Sequence, residues 1–381
     1  MKTIANRHKV RQLGVLLIGG KHHILHLIPI VSELELRDNV NVTVFVRFAA
    51  EKEICKKVLE LLGCNNSNVQ ILKYSSTFID LFKKKKPVHK KKPYLLRNLK
   101  LFETLDALIV AERTSTYLLS LSKSLPPLIH IPHGAGDGAK SYDPRIKDFD
   151  YVLVAGEKDR QRMIDDNLVT AENCYVTGYI KPFAVRRMDL PLPQLFKNKN
   201  PIVFYNAHFN LELSSWPQFG KDLLDAFSHQ KDMNFIFAPH MRLFQNAPKE
   251  IRQSLEAYGR FENIHIDLGS ERSTDMSYTR LADIYLGDVS SQIYEFLSRP
   301  KPCVFIGDKD VAWKDNPDYA HWKYGDVCHN VDGAIKALTA AKDNHGHYIS
   351  FQKNGTRAAL GNPDWNPIKR AADIVMSILA N

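Results

Sequence analysis

The stretch Ala282-Asp-Ile-Tyr-Leu-Gly-Asp-Val-Ser-Ser-Gln-Ile-Tyr-Glu-Phe-Leu-Ser-Arg-Pro-Lys-Pro-Cys-Val-Phe-Ile306 carries the pattern strand, tight loop, helix, loop, strand. Ile284 to Leu286 is a short apolar run suited to a buried strand, and Gly287 permits a sharp exit from it. Ser290 and Ser291 stand where a helix begins, Ile293, Phe296 and Leu297 recur at helical spacing, and Pro300 ends the run. Two readings of the serine pair follow. The hydroxyls either cap the helix, or join its first amides as an anion site. Glu295 lies about one turn deeper than Ser291, where it is either an ordinary solvent-facing glutamate or an acceptor for ribose hydroxyls.

The same alternation extends outward in both directions. Upstream, Ile202 to Tyr205, Asn234 to Ala238 and Ile264 to Ile266 are strand candidates separated by helix-length segments, and Cys303 to Ile306 follows the quoted stretch. Nearer the N-terminus, Val15 to Ile18, Val42 to Val46, Val69 to Leu72, Ala107 to Val110, Leu128 to Ile131 and Tyr151 to Val154 repeat the pattern. Strands alternating with helices predict parallel sheets covered on both faces. Asp189 to Pro201, with Pro191, Pro193 and a Lys-Asn-Lys-Asn run, reads as a linker. The expected division is residues 1–188, residues 189–365, and a C-terminal amphipathic helix in 366–381 carried by Ile368, Ala371, Ala372, Val375 and Leu379.

Composition narrows the function. At 381 residues the chain can bury two ordinary cores, and no apolar run reaches the length of a membrane span or a secretory signal. The five cysteines, Cys55, Cys64, Cys174, Cys303 and Cys328, are scattered without metal-ligand spacing, so reduced thiols and a cytosolic location are expected. The net charge is +10, and seven lysines fall between Lys83 and Lys92. That run is either a solvated loop or a contact for an anionic membrane face or a phosphate-rich polymer. No compact nucleic-acid-binding signature accompanies it.

Polar groups gather where strands end. Leu128 to Ile131 runs into His133-Gly-Ala-Gly-Asp-Gly138. Gly134, Gly136 and Ala139 formally match a dinucleotide fingerprint, but Asp143-Pro144 interrupts the required helix, so the match is rejected. What survives is a histidine beside small residues that leave room for a substrate. Imidazole titrates near neutrality and can accept a proton from an attacking hydroxyl. His22, His23 and His26 follow Gly19-Gly20 without acidic or thiol neighbours, so no metal site is assigned. Asn206-Ala-His208 follows one strand of the second half, and Pro239-His240-Met-Arg242 follows another. His240 and Arg242 are suited to a phosphate and a leaving group.

The combination resembles the CDP-glycerol glycerophosphotransferase family, the teichoic-acid-type enzymes of GT-B architecture. The resemblance rests on His133-Gly134, Gly178-Tyr-Ile-Lys-Pro, Pro239-His240 and Ala282-Asp283 through Asp288-Val-Ser290-Ser291, and covers roughly residues 125–310. It implies two Rossmann-like domains facing a cleft, His133 as general base, His240 on the donor phosphates, and Ser290 and Ser291 binding a phosphate. Candidate catalytic residues are thus His133 and His240. Candidate substrate or nucleotide contacts are Gly134, Asn206, His208, Arg242, Asp288, Ser290, Ser291 and Glu295. Met241 replaces the family's proline, and Gly287 stands where threonine is common.

The expected activity is transfer of glycerol phosphate from a CDP-glycerol-like donor to a hydroxyl of a surface polymer or its lipid-linked precursor, releasing CMP, at the inner face of a bacterial membrane. Transferases using CMP-Kdo or CMP-sialic acid have a similar arrangement and remain an alternative. A non-catalytic nucleotide- or glycan-binding module is another. No cofactor is implied, although a diphosphate donor can recruit a divalent metal.

Overall fold

The computed structural model describes residues 10–65, 67–74, 90–138 and 141–380. The chain divides into two compact units. Unit 1 comprises residues 1–133, 142–189 and 361–381, and unit 2 comprises residues 134–141 and 190–360. Relative to the expected division at residue 188, the glycine-rich segment Gly134–Ser141 belongs with unit 2. The last helix, Pro367–Ala380, belongs with unit 1.

Unit 1 is built on β1 (Arg11–Leu17), β2 (Val40–Val46), β3 (Asn68–Ile71), β4 (Ala107–Val110), β5 (Leu128–His130), β6 (Tyr151–Val154) and β7 (Cys174–Val176). They form one sheet in the order β3-β2-β1-β4-β5-β6-β7, every pairing parallel. The chain moves outward from β1 to β3, then returns to the other side of β1 for β4. That reversal opens a crevice at the carboxyl ends of β1 and β4, where open α/β sheets bind ligands. The central strands are buried on both faces and read as unbroken apolar runs, β4 being Ala-Leu-Ile-Val with every residue buried. Helix Ile24–Leu34 is apolar nearly all round because the sheet lies on one side and Pro367–Ala380 on another. Arg370 Nε donates to the Val176 carbonyl (2.9 Å) and Arg37 pairs with Asp373 (2.6 Å), tying the chain's end to this unit.

Unit 2 contains β8 (Ile202–Asn206), β9 (Asn234–Phe237), β10 (Ile264–Ile266), β11 (Ile284–Gly287), β12 (Cys303–Ile306) and β13 (Asp326–Cys328). Their order, β10-β9-β8-β11-β12-β13, is again wholly parallel, with the reversal between β8 and β11. One face is covered by aromatic packing: Phe227 stacks on Phe235 (3.9 Å between centroids) and Trp216 on Phe237 (4.8 Å). Two doubly wound α/β units are what the alternation predicts.

The strands that the sequence pattern does not reveal, β7 and β13, are three-residue edge strands in which only Cys174 and Cys328 are buried and the other residues are partly exposed. Lys83 to His89 lie outside the described residues. At the described end of the lysine run, Lys91 pairs with Glu112 (3.1 Å) and Lys92 sits over the Tyr117 ring (4.4 Å). No described helix is long and apolar enough to cross a membrane.

Candidate functional site

In unit 2 the candidate residues converge on the β8/β11 crevice, but with divided roles. Asp288 is buried and spends its carboxylate on donors from the loop after β8 and from its own. It accepts from the amides of His208 (3.0 Å), Ser215 (2.7 Å) and Val289 (2.7 Å), and from Ser215 Oγ (2.8 Å). Burial pushes its pKa up while these bonds pull it down. Such a carboxylate fastens two loops across the crevice and is not aimed at a ligand. Asn206 and Ser290 serve the same end. Ser290 Oγ donates to Asn206 Oδ1, and Asn206 Nδ2 donates to the Ala238 carbonyl (2.7 Å), stitching β9, β8 and β11 together.

The serine pair therefore splits. Ser290 is the cap: it is buried, and Gln292 N donates to its Oγ (3.3 Å). Ser291 is exposed and makes no side-chain cap bond. The helix they precede, Gln292–Phe296, has only five residues, so its dipole adds little and Ser291's hydroxyl is what it presents. Glu295 is buried, contrary to an ordinary solvent-facing glutamate.

His208 and His240 are set by their neighbours. Asn210 N donates to His208 Nδ1 (3.1 Å), and Arg242 N donates to His240 Nδ1 (3.2 Å). A ring nitrogen that accepts an amide proton carries none itself, so in each neutral ring the proton is on Nε2. Both rings flank Phe209, at 4.6 and 4.7 Å, and stand 6.2 Å apart. The exposed Arg242 guanidinium reaches over the same Phe209 ring at 5.3 Å. Two imidazole donors and a guanidinium at neighbouring strand ends are the chemistry that binds a diphosphate.

Gly134 and Gly136 pack beside Ser291. A Cβ on Gly136 would fall 2.7 Å from Ser291 Cβ, so only glycine fits there, and one on Gly134 would reach 3.8 Å from Ser291 Oγ. Asp137 anchors the segment: Tyr294 Oη donates to it (2.8 Å), and a proton bridges it to His321 Nδ1 (2.7 Å). His321 Nε2 and Trp322 Nε1 both donate to the Asp288 carbonyl, at 2.8 and 3.0 Å. Sequence reasoning passed over Asp137, Ser215, Tyr294 and His321. Each is distant in sequence from its partner and belongs to no motif.

His133 is in unit 1, exposed, at the end of β5. Its Nδ1 donates to the Ala111 carbonyl (3.2 Å), which fixes the tautomer and leaves the Nε2 lone pair as the proton acceptor. His22 and His23, from the turn after β1, lie 5.4 and 4.2 Å from its ring centroid. His26 is 6.4 Å away. Burial, then the neighbouring His133, holds the His23 pKa well below the ordinary value, and burial does the same to His26. Both are neutral at pH 7. The fold thus joins His133 to histidines more than a hundred positions earlier, a grouping no sequence spacing signals.

No protein-family model and no curated protein matches the sequence. Solved structures match over nearly its whole length. UDP-GlcNAc 2-epimerase from Neisseria meningitidis, bound to UDP-GlcNAc, has a TM-score of 0.64 at 15% identity, covering 97% of this chain and 100% of that one. S. aureus MnaA in complex with UDP has a TM-score of 0.64 at 12% identity, covering 97% of each chain. The wall teichoic acid polymerase TagF, soaked with CDPG, has a TM-score of 0.60 at 13% identity, covering 98% of this chain and 89% of that one. At these identities the likeness establishes the fold alone, which is GT-B, with two Rossmann-like domains.

Proposed function

We propose that this chain is a transferase that binds a nucleotide-activated donor through unit 2, and that the donor is of the CDP-glycerol type. The observation that carries the reading is the pair of Nε2 donors on His208 and His240, with Arg242 and the Ser291 hydroxyl, at the β8/β11 reversal. Doubly wound sheets bind ligands at that point, and these groups match a diphosphate. In the transfer step, His133 Nε2 takes the proton of an acceptor hydroxyl as the new O–P bond forms. The P–O bond to CMP breaks, and His240 and Arg242 stabilise the charge on the departing nucleotide. With a CMP-sugar donor the same groups would act and the attack would fall on the anomeric carbon.

A second reading is sugar-nucleotide epimerisation, favoured by the UDP-GlcNAc 2-epimerase neighbour. Incubation with CDP-glycerol, CMP-Kdo, CMP-sialic acid and UDP-GlcNAc separates the readings. Acceptor-dependent CMP release supports transfer, and an altered sugar epimer supports the second. Turnover from none of the four would leave the binding module. His133→Ala should abolish transfer and leave donor affinity nearly unchanged, whereas Ser291→Ala should weaken binding. A lipid-linked or polymeric acceptor at an anionic membrane surface belongs to the same reading, and salt-sensitive binding to anionic vesicles tests it.

A further inference from the structure

The histidines at the β1/β4 reversal of unit 1 form more than a setting for one base. Ligand nitrogens of His22, His23 and His133 all lie within 4.8 Å of one another. Tetrahedral coordination with bonds of about 2.1 Å puts nitrogens about 3.4 Å apart, a gap that small side-chain rotations close. Two further details favour a cation. His23 Nδ1 is buried without a hydrogen-bond partner, which buried ring nitrogens rarely tolerate. His133 is held by a backbone carbonyl at Nδ1, the usual support of a metal-bound imidazole, which makes Nε2 its ligand nitrogen. Gly19 makes the grouping possible, because a Cβ there would overlap the His23 ring (1.9 Å to Cε1). The nearby Lys91 is paired with Glu112, whose Oε1 is buried and without a partner.

We infer that His22, His23 and His133 bind one divalent transition-metal ion of the kind that imidazole prefers, Zn2+ foremost, with a fourth position open to water. Three neutral nitrogens without a thiolate or carboxylate suit Zn2+, Cu2+ or Ni2+ and exclude Mg2+ or Ca2+. The inference is independent of the donor reading, since metal binding is measured without any nucleotide. The two meet at one atom: an ion on His133 Nε2 occupies the lone pair that the proposed transfer uses, so saturating Zn2+ is expected to silence that transfer.

The test is titration of the chelator-treated full chain with ZnCl2 alone by calorimetry, and with CoCl2 by visible d–d absorption. Wild type should bind one ion per chain and give the absorption of a nitrogen-ligated Co2+. His133→Ala removes an exposed side chain and should fold normally, checked by thermal unfolding. It should lose affinity by at least about a hundredfold, the upper end of what losing only a supporting contact costs. His23→Ala should do the same, while the exposed His329→Ala should bind as wild type. Absence of binding in wild type, or equal affinity in His133→Ala, overturns the proposal. So does binding of inorganic phosphate that depends on His133, because it would make the cluster an anion site.

Discussion

Replacing Asp137 with alanine removes the carboxyl group on which two buried side chains of unit 2 converge. Tyr294 Oη lies 2.8 Å from each carboxylate oxygen and His321 Nδ1 2.7 Å from Oδ2, and all three side chains are buried. Leaving a buried polar group without its partner costs about 1–3 kcal/mol, and two groups lose theirs, so a loss of about 4 kcal/mol is expected. Each kcal/mol moves Tm by about 2–4 °C in a domain of this size, which places the unfolding midpoint of unit 2 about 12 °C lower. Asp137→Asn retains one acceptor oxygen but turns a donor toward the other partner, and should lose about half as much. Trp322 stands beside His321 with its Nε1 on the Asp288 carbonyl, so its fluorescence during heating includes a report from this network. A shift under about 2 °C for Asp137→Ala would refute the idea that these bonds fasten residues 134–138.

Gly136→Ala should push Ser291 from its place and weaken donor binding by about tenfold, a loss of about 1.4 kcal/mol, read by calorimetry with the unfolding midpoint as control. Acid should destabilise unit 1 through His130. Burial, chiefly, lowers its pKa from the ordinary 6.5 to about 3, so it stays neutral in the folded chain while the unfolded chain takes up a proton. Its contribution is complete above about pH 6.5 and is lost as pH falls toward 3, at up to about 1.4 kcal/mol per pH unit. His130→Leu should flatten the fall of Tm between pH 7 and pH 5 relative to wild type; equal slopes would contradict this.

Much of the fold is legible because strands buried on both faces must be apolar throughout. β4, β11 and β12 announce themselves in this way, whereas β7 and β13 are too short and too exposed to leave such a run. That Pro367–Ala380 is an amphipathic helix can be read from its periodicity. That it packs on unit 1 cannot, since its partner helix lies at Ile24–Leu34. At the candidate site, residue types at strand ends pointed to one shared crevice but not to what each side chain bonds there. Asn206 bonds Ser290, and His208 N bonds Asp288, across more than eighty positions or nearly so, and these bonds turn three supposed ligand contacts into supports. Only geometry separates Ser290, which caps, from Ser291, which is presented to solvent.

The proposed donor site rests on His208 and His240 holding the phosphates. Calorimetric titration of wild type and the His208→Ala/His240→Ala double variant with CDP-glycerol and UDP-GlcNAc tests it most directly. Two hydrogen bonds to a charged group, each contributing about 1.5–3 kcal/mol, predict that the double variant binds at least about a hundredfold more weakly while unfolding at a similar temperature. A folded double variant that binds either nucleotide as tightly as wild type, or a wild type that binds neither, would contradict it.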